Sequence, residues 1–472
     1  MRFVDALMNH GASNPEKVAI QLPDRAVTFG MVASGIRSVT SAILSSGIER
    51  GQTIGVRIEN QIRHLIVVSA LYRLGVVSVS LSGQEDPISA GFKIDATISD
   101  GLQSPMRVGR TITLKDEWFT LGVNPEHQIL GFASDTQLAR IIMSSGTTGI
   151  PKAIGHTVKT VEDRIAIGHQ TLAITQWDRM LCLPLLTSSL GFGSALQALA
   201  YGRSVVIAES ATDALEMIGL HAVDLLVCNP QHLQAMVEAH HDMPVQTPSL
   251  KLIKYGGDSL PLELALLVQK KFCKDMLCVY SSTETGPIAL GDNAHIFDKS
   301  GVTGMIAPWV KVEIVDTEGK PVAAGREGRL RVKSPWQGYD LKIGPEAAGD
   351  WMYTGDFGSI SPNGALSLIG RASDAIMIDD TLVAPEAIER ALYGFPGIDD
   401  VAALGMPAAN HQQEIWLVIA SQTGVDEAGI RTFLAMKNPL WTIARITFSP
   451  LIDRNKMGKI VRHAMRKKLL NN

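Results

Sequence analysis

A run of nine residues, Ser144-Ser145-Gly146-Thr147-Thr148-Gly149-Ile150-Pro151-Lys152, concentrates hydroxyls, glycines and one ammonium directly after a strand-like stretch at residues 139–143. Glycine lets backbone N–H groups approach an anion closely, while Ser, Thr and Lys add donors and charge, so the segment suits phosphate. It is not a Walker loop, because Gly149 is followed by Ile150-Pro151 rather than by Lys and Ser or Thr. Taken alone it reads equally well as a flexible connection.

Two further polar groups follow strand-like runs: Gly256-Gly257-Asp258 after residues 252–255, and Ser281-Ser282-Thr283-Glu284 after residues 276–280. If these strands are parallel, all three polar segments gather at one carboxyl edge, where open α/β sheets bind ligands. There Gly256 and Gly257 would let a flat base lie against the backbone, with Tyr280 stacking on it. Thr283 would bond a phosphate oxygen and Glu284 would hold Mg²⁺. By itself Glu284 reads more readily as a solvated loop acid; the neighbouring motifs are what favour the metal role. Downstream, Asp356 in Tyr353-Thr354-Gly355-Asp356 can accept both hydroxyls of a ribose, with Arg371 as second contact. Near the end, Gly458 makes a bend that would deliver Lys459 to an anionic site, although residues 455–462 also read as a basic surface tail.

The elements that must position these groups follow from hydrophobic patterning. Apolar runs at residues 139–143, 180–183, 204–207, 225–228, 252–255 and 276–280 alternate with longer helical patterns, which predicts parallel-rich sheets covered by helices. From about residue 301 the texture changes to short alternating strands, such as 311–315 and 328–332, separated by Glu318-Gly319, Ala324-Gly325 and Asn363-Gly364 turns. That predicts a small antiparallel sheet or barrel-like subdomain over about 301–371. After Arg371 the pattern returns to α+β: Pro385 opens a helix, Glu386 and Glu389 fall in its first turns, and Ile388 and Leu392 form an i,i+4 apolar pair. The expected division is therefore residues 1–371 and 372–472.

Composition removes other classes. With 472 residues, 43 basic against 47 acidic side chains and a net charge of −4, the chain lacks the basic face that nucleic-acid binding needs. Cys182, Cys228, Cys273 and Cys278 have apolar neighbours and no zinc-ligand spacing, so reduced, buried thiols are expected. Residues 1–14 lack a signal-peptide pattern, and the apolar run 65–81 is interrupted by Arg73. A cytoplasmic protein without a membrane partner is the expectation.

Taken in order, these motifs resemble the adenylate-forming superfamily of acyl- and aryl-CoA synthetases, luciferases and peptide-synthetase adenylation domains. The resemblance covers nearly the whole chain: Ser144–Lys152 is similar to the family's phosphate loop, Tyr280–Glu284 to its Tyr-x-x-Thr-Glu segment and Tyr353–Asp356 to its ribose motif. Gly370-Arg371 is similar to its hinge region, and Gly458-Lys459 to its catalytic-lysine loop. It implies an enzyme in which a fatty or aromatic carboxylate attacks the α-phosphate of ATP to give acyl-adenylate and pyrophosphate. A small mobile carboxy-terminal domain then rotates so that a thiol, of coenzyme A or of a carrier-protein phosphopantetheine, displaces AMP. On this resemblance Lys459, Thr283 and Glu284 are catalytic, with Glu284 holding Mg²⁺. Ser144, Ser145, Gly146, Thr147, Thr148, Lys152, Gly256, Gly257, Tyr280, Asp356 and Arg371 bind the nucleotide. A monomer or homodimer acting on a small carboxylic acid, with an acyl carrier protein as possible partner, is expected.

The chain departs from the family in places. Ser281 replaces a glycine, and Thr187 stands where many relatives carry His or an aromatic. Past the hinge, Ser373 replaces Asp or Lys, Met377 a lysine and Asp380 a glycine in the loop that faces the thiol acceptor. An aspartate where a glycine gives backbone access adds bulk and negative charge on the side of the thiol acceptor. A free-standing adenylation protein that loads a carrier protein or an amine is the alternative, and a non-catalytic nucleotide-binding homologue a second. The acyl pocket is expected around Thr187, Ser188, Gly191 and Tyr255, with Phe192 and Leu190 packing either the substrate or the core.

Overall fold

The structure is a computed structural model that describes residues 2–81, 90–101, 110–119, 131–144, 152–242, 247–297, 302–316, 318–344, 349–378, 381–408, 413–454 and 460–470. Of the expected site residues, Ser145, Gly146, Thr147, Thr148 and Lys459 lie outside them, as do Asp380 and the side chain of Ser144.

Strand-forming runs assemble into two large sheets. Six neighbours in the larger one, Val18–Gln21, Ser204–Val206, Arg179–Cys182, Leu225–Cys228, Leu252–Tyr255 and Met276–Ser282, pair in parallel. Alternation along each strand sends side chains to opposite faces. Leu225 and Val227 join a core cluster with Phe192 and Leu196 of helix Ser189–Ala200, while Leu226 and Cys228 join another with Leu215, Leu233 and Leu264. Ile54, Val56 and Ile98 of the second sheet enter the first cluster too, so helices such as Phe29–Ser45 and Gln61–Leu74 are sandwiched between the two sheets. Cys182, Cys228 and Cys273 are buried and all four thiols are free, as their apolar neighbours suggest.

Sheet membership differs from the single carboxyl edge expected. Leu138–Ser144 belongs to the second sheet, beside Val77–Ser80, and turns back on Lys152–Thr157 as an antiparallel pair in which Ser144 faces Lys152. The glycine- and hydroxyl-rich segment is therefore the connection of a hairpin. Local sequence cannot distinguish this, because the choice of sheet is made by pairing Arg140 and Ile141 with Ser78 and Val79, 62 positions earlier.

The antiparallel strands after residue 301 are present, with Gly319, Gly325 and Gly364 in left-handed turns at φ +82°, +81° and +83°. Among the described residues they extend the large sheet from Gly286–Gly291 through Val302–Ile306, Ala365–Arg371, Met352–Ile360 and Gly328–Lys333 to Lys311–Val315. Residues from 376 onward share a separate core of Ile376, Ile388, Leu392, Ala403, Leu417 and helix Glu427–Lys437, in which Ile430 and Leu434 are fully buried. Pro385 does open a helix, Pro385–Leu392, whose buried face is Ile388 and Leu392. No described helix is long and apolar enough to cross a membrane.

Candidate active site

Three expected nucleotide residues meet at the carboxyl end of strand Met276–Ser282. Asp356 and Arg371 are direct partners across neighbouring strands, and Arg371 Nη1 lies 3.1 Å from Asp356 Oδ1. The Tyr280 hydroxyl donates to Asp356 Oδ2. Asp356 is only 8% exposed. Its buried carboxylate is held by a cation and a phenol, the arrangement needed to keep an acceptor fixed for a diol. Burial opposes the charge of Arg371, but Asp356, Tyr280, Glu284 and Glu386 together outweigh it and raise the pKa above the ordinary arginine value. Arg371 also donates to the Thr354 carbonyl at 3.0 Å, which ties the ribose-type motif to the strand that carries its partner. Stacking alone was expected of Tyr280; its hydroxyl contact with Asp356 is an additional tie.

Gly256 and Gly257 are glycines for separate reasons. A Cβ on Gly256 would lie 2.7 Å from the Val279 carbonyl oxygen, whereas Gly257 has φ +95°, a conformation side chains rarely adopt. Gly257 is thereby exposed with open space where a Cβ would stand, while Gly256 is buried against the Tyr280 strand.

The Thr283–Glu284 turn follows a register shift between Tyr280 and Ser281, so Ser281 sits exposed at an irregularity. Residues that motif reading missed hold this turn from beneath. His156 Nε2 donates to the Thr283 carbonyl at 3.0 Å, and Arg164 Nη1 donates to the same oxygen at 2.8 Å. Arg164 Nη2 reaches the Glu284 carbonyl at 2.7 Å, which also accepts from Gly338 N at 2.7 Å. Thr285 carbonyl accepts from Ser334 Oγ at 2.8 Å. Burial drives the His156 pKa well below the ordinary histidine value, so the ring is a neutral donor. Neither residue stands in a recognisable spacing; only their position soon after Lys152 links them to the site.

Among the described residues no group of three or more His, Cys, Asp or Glu forms a cation cage. A single acid on a turn expected to face phosphate fits Mg²⁺, which is usually held by one or two carboxylates together with nucleotide phosphates.

The expected acyl-pocket residues also have structural work. Ser188 caps helix Ser189–Ala200 by accepting from Gly191 N at 3.1 Å, and a Cβ on Gly191 would collide with the Leu185 carbonyl at 2.2 Å. Tyr255 is 4% exposed in the core cluster with Leu226 and Ile253. Thr187 is half-buried at the helix entry. Lys254, 5% exposed, lies on the opposite side of the strand from Tyr255, and burial pushes its ammonium down to about 8. Composition hides such a residue, since one lysine in an apolar run carries no motif.

A fixed ribose-type acceptor, exposed glycine backbone and an acid-bearing turn at one sheet edge define a nucleotide-binding enzyme of the adenylate-forming class. Residues 100–339 match the family described as AMP-binding enzyme, and the chain belongs to that family. It is 24% identical to the 2-succinylbenzoate–CoA ligase of Bacillus subtilis over 417 residues, 84% of each chain. The fold matches o-succinylbenzoate CoA synthetase from Bacillus subtilis, solved with the acyl-adenylate intermediate OSB-AMP. The TM-score is 0.87 at 22% identity, over 98% of this chain and 97% of that one. It also matches the amide bond synthetase McbA from Marinactinospora thermotolerans, with TM-score 0.81 and 19% identity over 99% of both chains.

Proposed function

We propose that the protein is an AMP-forming acid–thiol ligase that activates a fatty or aromatic carboxylic acid with ATP and passes the acyl group to coenzyme A. The observation that carries this reading is the Tyr280–Asp356–Arg371 constellation beside the Thr283–Glu284 turn. Ribose hydroxyls would rest on Asp356, the base on Gly256-Gly257, and phosphates on Thr283, Lys152 and the Ser144–Thr148 hairpin connection. Glu284 would hold Mg²⁺, which neutralises charge on the polyphosphate.

In the first step a substrate carboxylate oxygen bonds to the α-phosphorus as the bond to the bridging oxygen breaks, releasing pyrophosphate. Lys459 would stabilise the charge that develops there. In the second step a thiolate bonds to the acyl carbon, AMP leaves, and the thiol proton goes to solvent. A boundary at 371/372 would let residues 372–472 present Lys459 for the first step and move away for the second. Thr187, Ser188, Gly191 and Tyr255 would border the acid. Free, buried thiols accord with a reducing, cytoplasmic setting.

A second acceptor reading has its own support. Met377 and Asp380 replace the lysine and glycine of the family's acceptor loop, Met377 is 41% exposed, and a matching fold performs amide bond synthesis. Incubation with ATP, Mg²⁺, coenzyme A and a pool of aliphatic and aromatic acids, read by mass spectrometry, separates the two. AMP with a new thioester is the expected product. Acyl-AMP without thioester transfers the assignment to a carrier protein or amine, and release of ADP, or of no nucleotide product, overturns adenylation.

A further inference from the structure

We propose that Arg164 is the positioning residue of the metal-binding turn, its guanidinium fork fixing Thr283 and Glu284 through two consecutive backbone carbonyls. This rests on the reading of Thr283 and Glu284 as phosphate and metal contacts. Arg164 lies in helix Val158–Thr171, which begins directly after strand Lys152–Thr157, so the exit of the phosphate hairpin and the metal turn are joined through one short stretch of chain.

Geometry selects arginine. Nη1 bonds the Thr283 oxygen at 2.8 Å while Nη2 bonds the Glu284 oxygen at 2.7 Å and reaches the Trp336 oxygen at 3.3 Å. Only a planar fork of donors spans adjacent carbonyls in this way; an ammonium is a point charge. Among the described residues Nε is enclosed without a hydrogen-bond partner, and beside it Gly286 makes room for the Trp336 indole, since a Cβ there would stand 2.9 Å from Trp336 Nε1. Enclosing a guanidinium against neutral acceptors is costly, and burial pushes its pKa down to about 10 while the Glu284 carboxylate opposes the shift. Arg164 therefore fixes the backbone from which the Glu284 carboxylate projects. His156 repeats this function at Thr283, and Gly338 is required beside it, because a Cβ there would lie 2.5 Å from the His156 ring.

Mg²⁺ tolerates little error, binding oxygens at about 2.0–2.1 Å in near-octahedral geometry. A turn released from Arg164 should thus lose metal affinity before it loses the acid or the nucleotide base. The test compares wild type with Arg164→Lys, Arg164→Gln, His156→Gln and His156→Phe. Binding of ATP is measured by calorimetry with and without Mg²⁺, and pyrophosphate exchange is measured across a Mg²⁺ titration.

Expected for Arg164→Gln is a Mg²⁺ requirement raised about tenfold and a fall in kcat, with the KM of the acid within about twofold and metal-free ATP binding unchanged, each about 1.4 kcal/mol per tenfold. Arg164→Lys should recover part of this, and His156→Gln, which keeps a donor, should exceed His156→Phe. Folded variants with an unaltered Mg²⁺ dependence would overturn the assignment. So would equal losses of metal-free and Mg²⁺-dependent binding, the mark of a general structural role. Since the binding arm needs no turnover, a protein that binds MgATP but shows no exchange refutes the ligase reading and still decides the role of Arg164.

Discussion

Arg164 and Arg462 both brace segments proposed to carry chemistry, and they do it with opposite partners. Among the described residues Arg164 hydrogen-bonds to neutral carbonyl oxygens only. Arg462, 7% exposed and three residues beyond Lys459, meets three carboxylates: Asp374 Oδ2 at 3.2 Å, Glu386 Oε1 at 3.1 Å and Glu389 Oε2 at 2.7 Å. Its Nε also donates to the Ala403 carbonyl at 3.3 Å. Burial opposes the charge of Arg462, but Glu389, Glu386 and Asp374 outweigh it and raise its pKa, whereas burial lowers that of Arg164. A carbonyl brace is indifferent to pH, while a carboxylate brace with three acids to one guanidinium is not. Burial lifts Glu389 to about 7, with Glu386 also raised. Arg466 and Arg371 bear on the same cluster, Arg466 through Asp374 and Arg371 through Glu386, and Asp258 adds a further negative charge facing Glu386. The fixed turn is thus held by permanent dipoles, and the segment expected to move is held by groups that titrate.

The largest way to break the comparison is to remove what the second brace presents. Lys459→Ala should lower adenylation by two or more orders of magnitude, since a preorganised charge is worth about 3 kcal/mol or more; an unchanged pyrophosphate-exchange rate would leave Arg462 with nothing to position. Next, Arg462→Met strands buried carboxylates and should destabilise the carboxy-terminal unit by about 3–5 kcal/mol. Hydrogen exchange in helix Pro385–Leu392 and strand Asp400–Pro407 reads this locally, and protection equal to wild type there would show that the ion cluster contributes nothing.

The smallest effect sharpens the contrast. A carboxyl group whose folded pKa lies above its unfolded value takes up a proton on folding between the two, so its contribution is greatest at low pH and is lost as pH rises toward about 7. Stability of wild type relative to Glu389→Gln should therefore fall between about pH 5 and pH 7.5 and level off above. Melting curves of the two proteins that run parallel across this range would refute the titrating brace.

Much of this was legible from residues. Strands Leu225–Cys228, Leu252–Tyr255 and Lys311–Val315 fall where their apolar runs place them, and Pro385 starts its helix. Asp356 and Arg371, 15 positions apart in sequence, prove to be strand partners because a glycine turn at Asn363-Gly364 folds the chain between them. The assignment of Leu138–Ser144 to another sheet was not legible, since it depends on Val77–Ser80. His156 and Arg164 were invisible for a different reason: a side chain that grips backbone carbonyls leaves no complementary residue type for a motif to record.

One pairing described above bears on how the chain is made. Val18–Gln21 lies parallel to Ser204–Val206, with Ile20 opposite Val205. During vectorial synthesis at about 5–20 residues per second, the first strand waits roughly ten to forty seconds for its neighbour. Until then Ala19 and Ile20, fully buried in the finished protein, have only the short strand Ala26–Thr28 and nearby helices for cover. A nascent chain stopped before Ser204 is consequently an aggregation hazard even though every residue of its amino-terminal helices is in place.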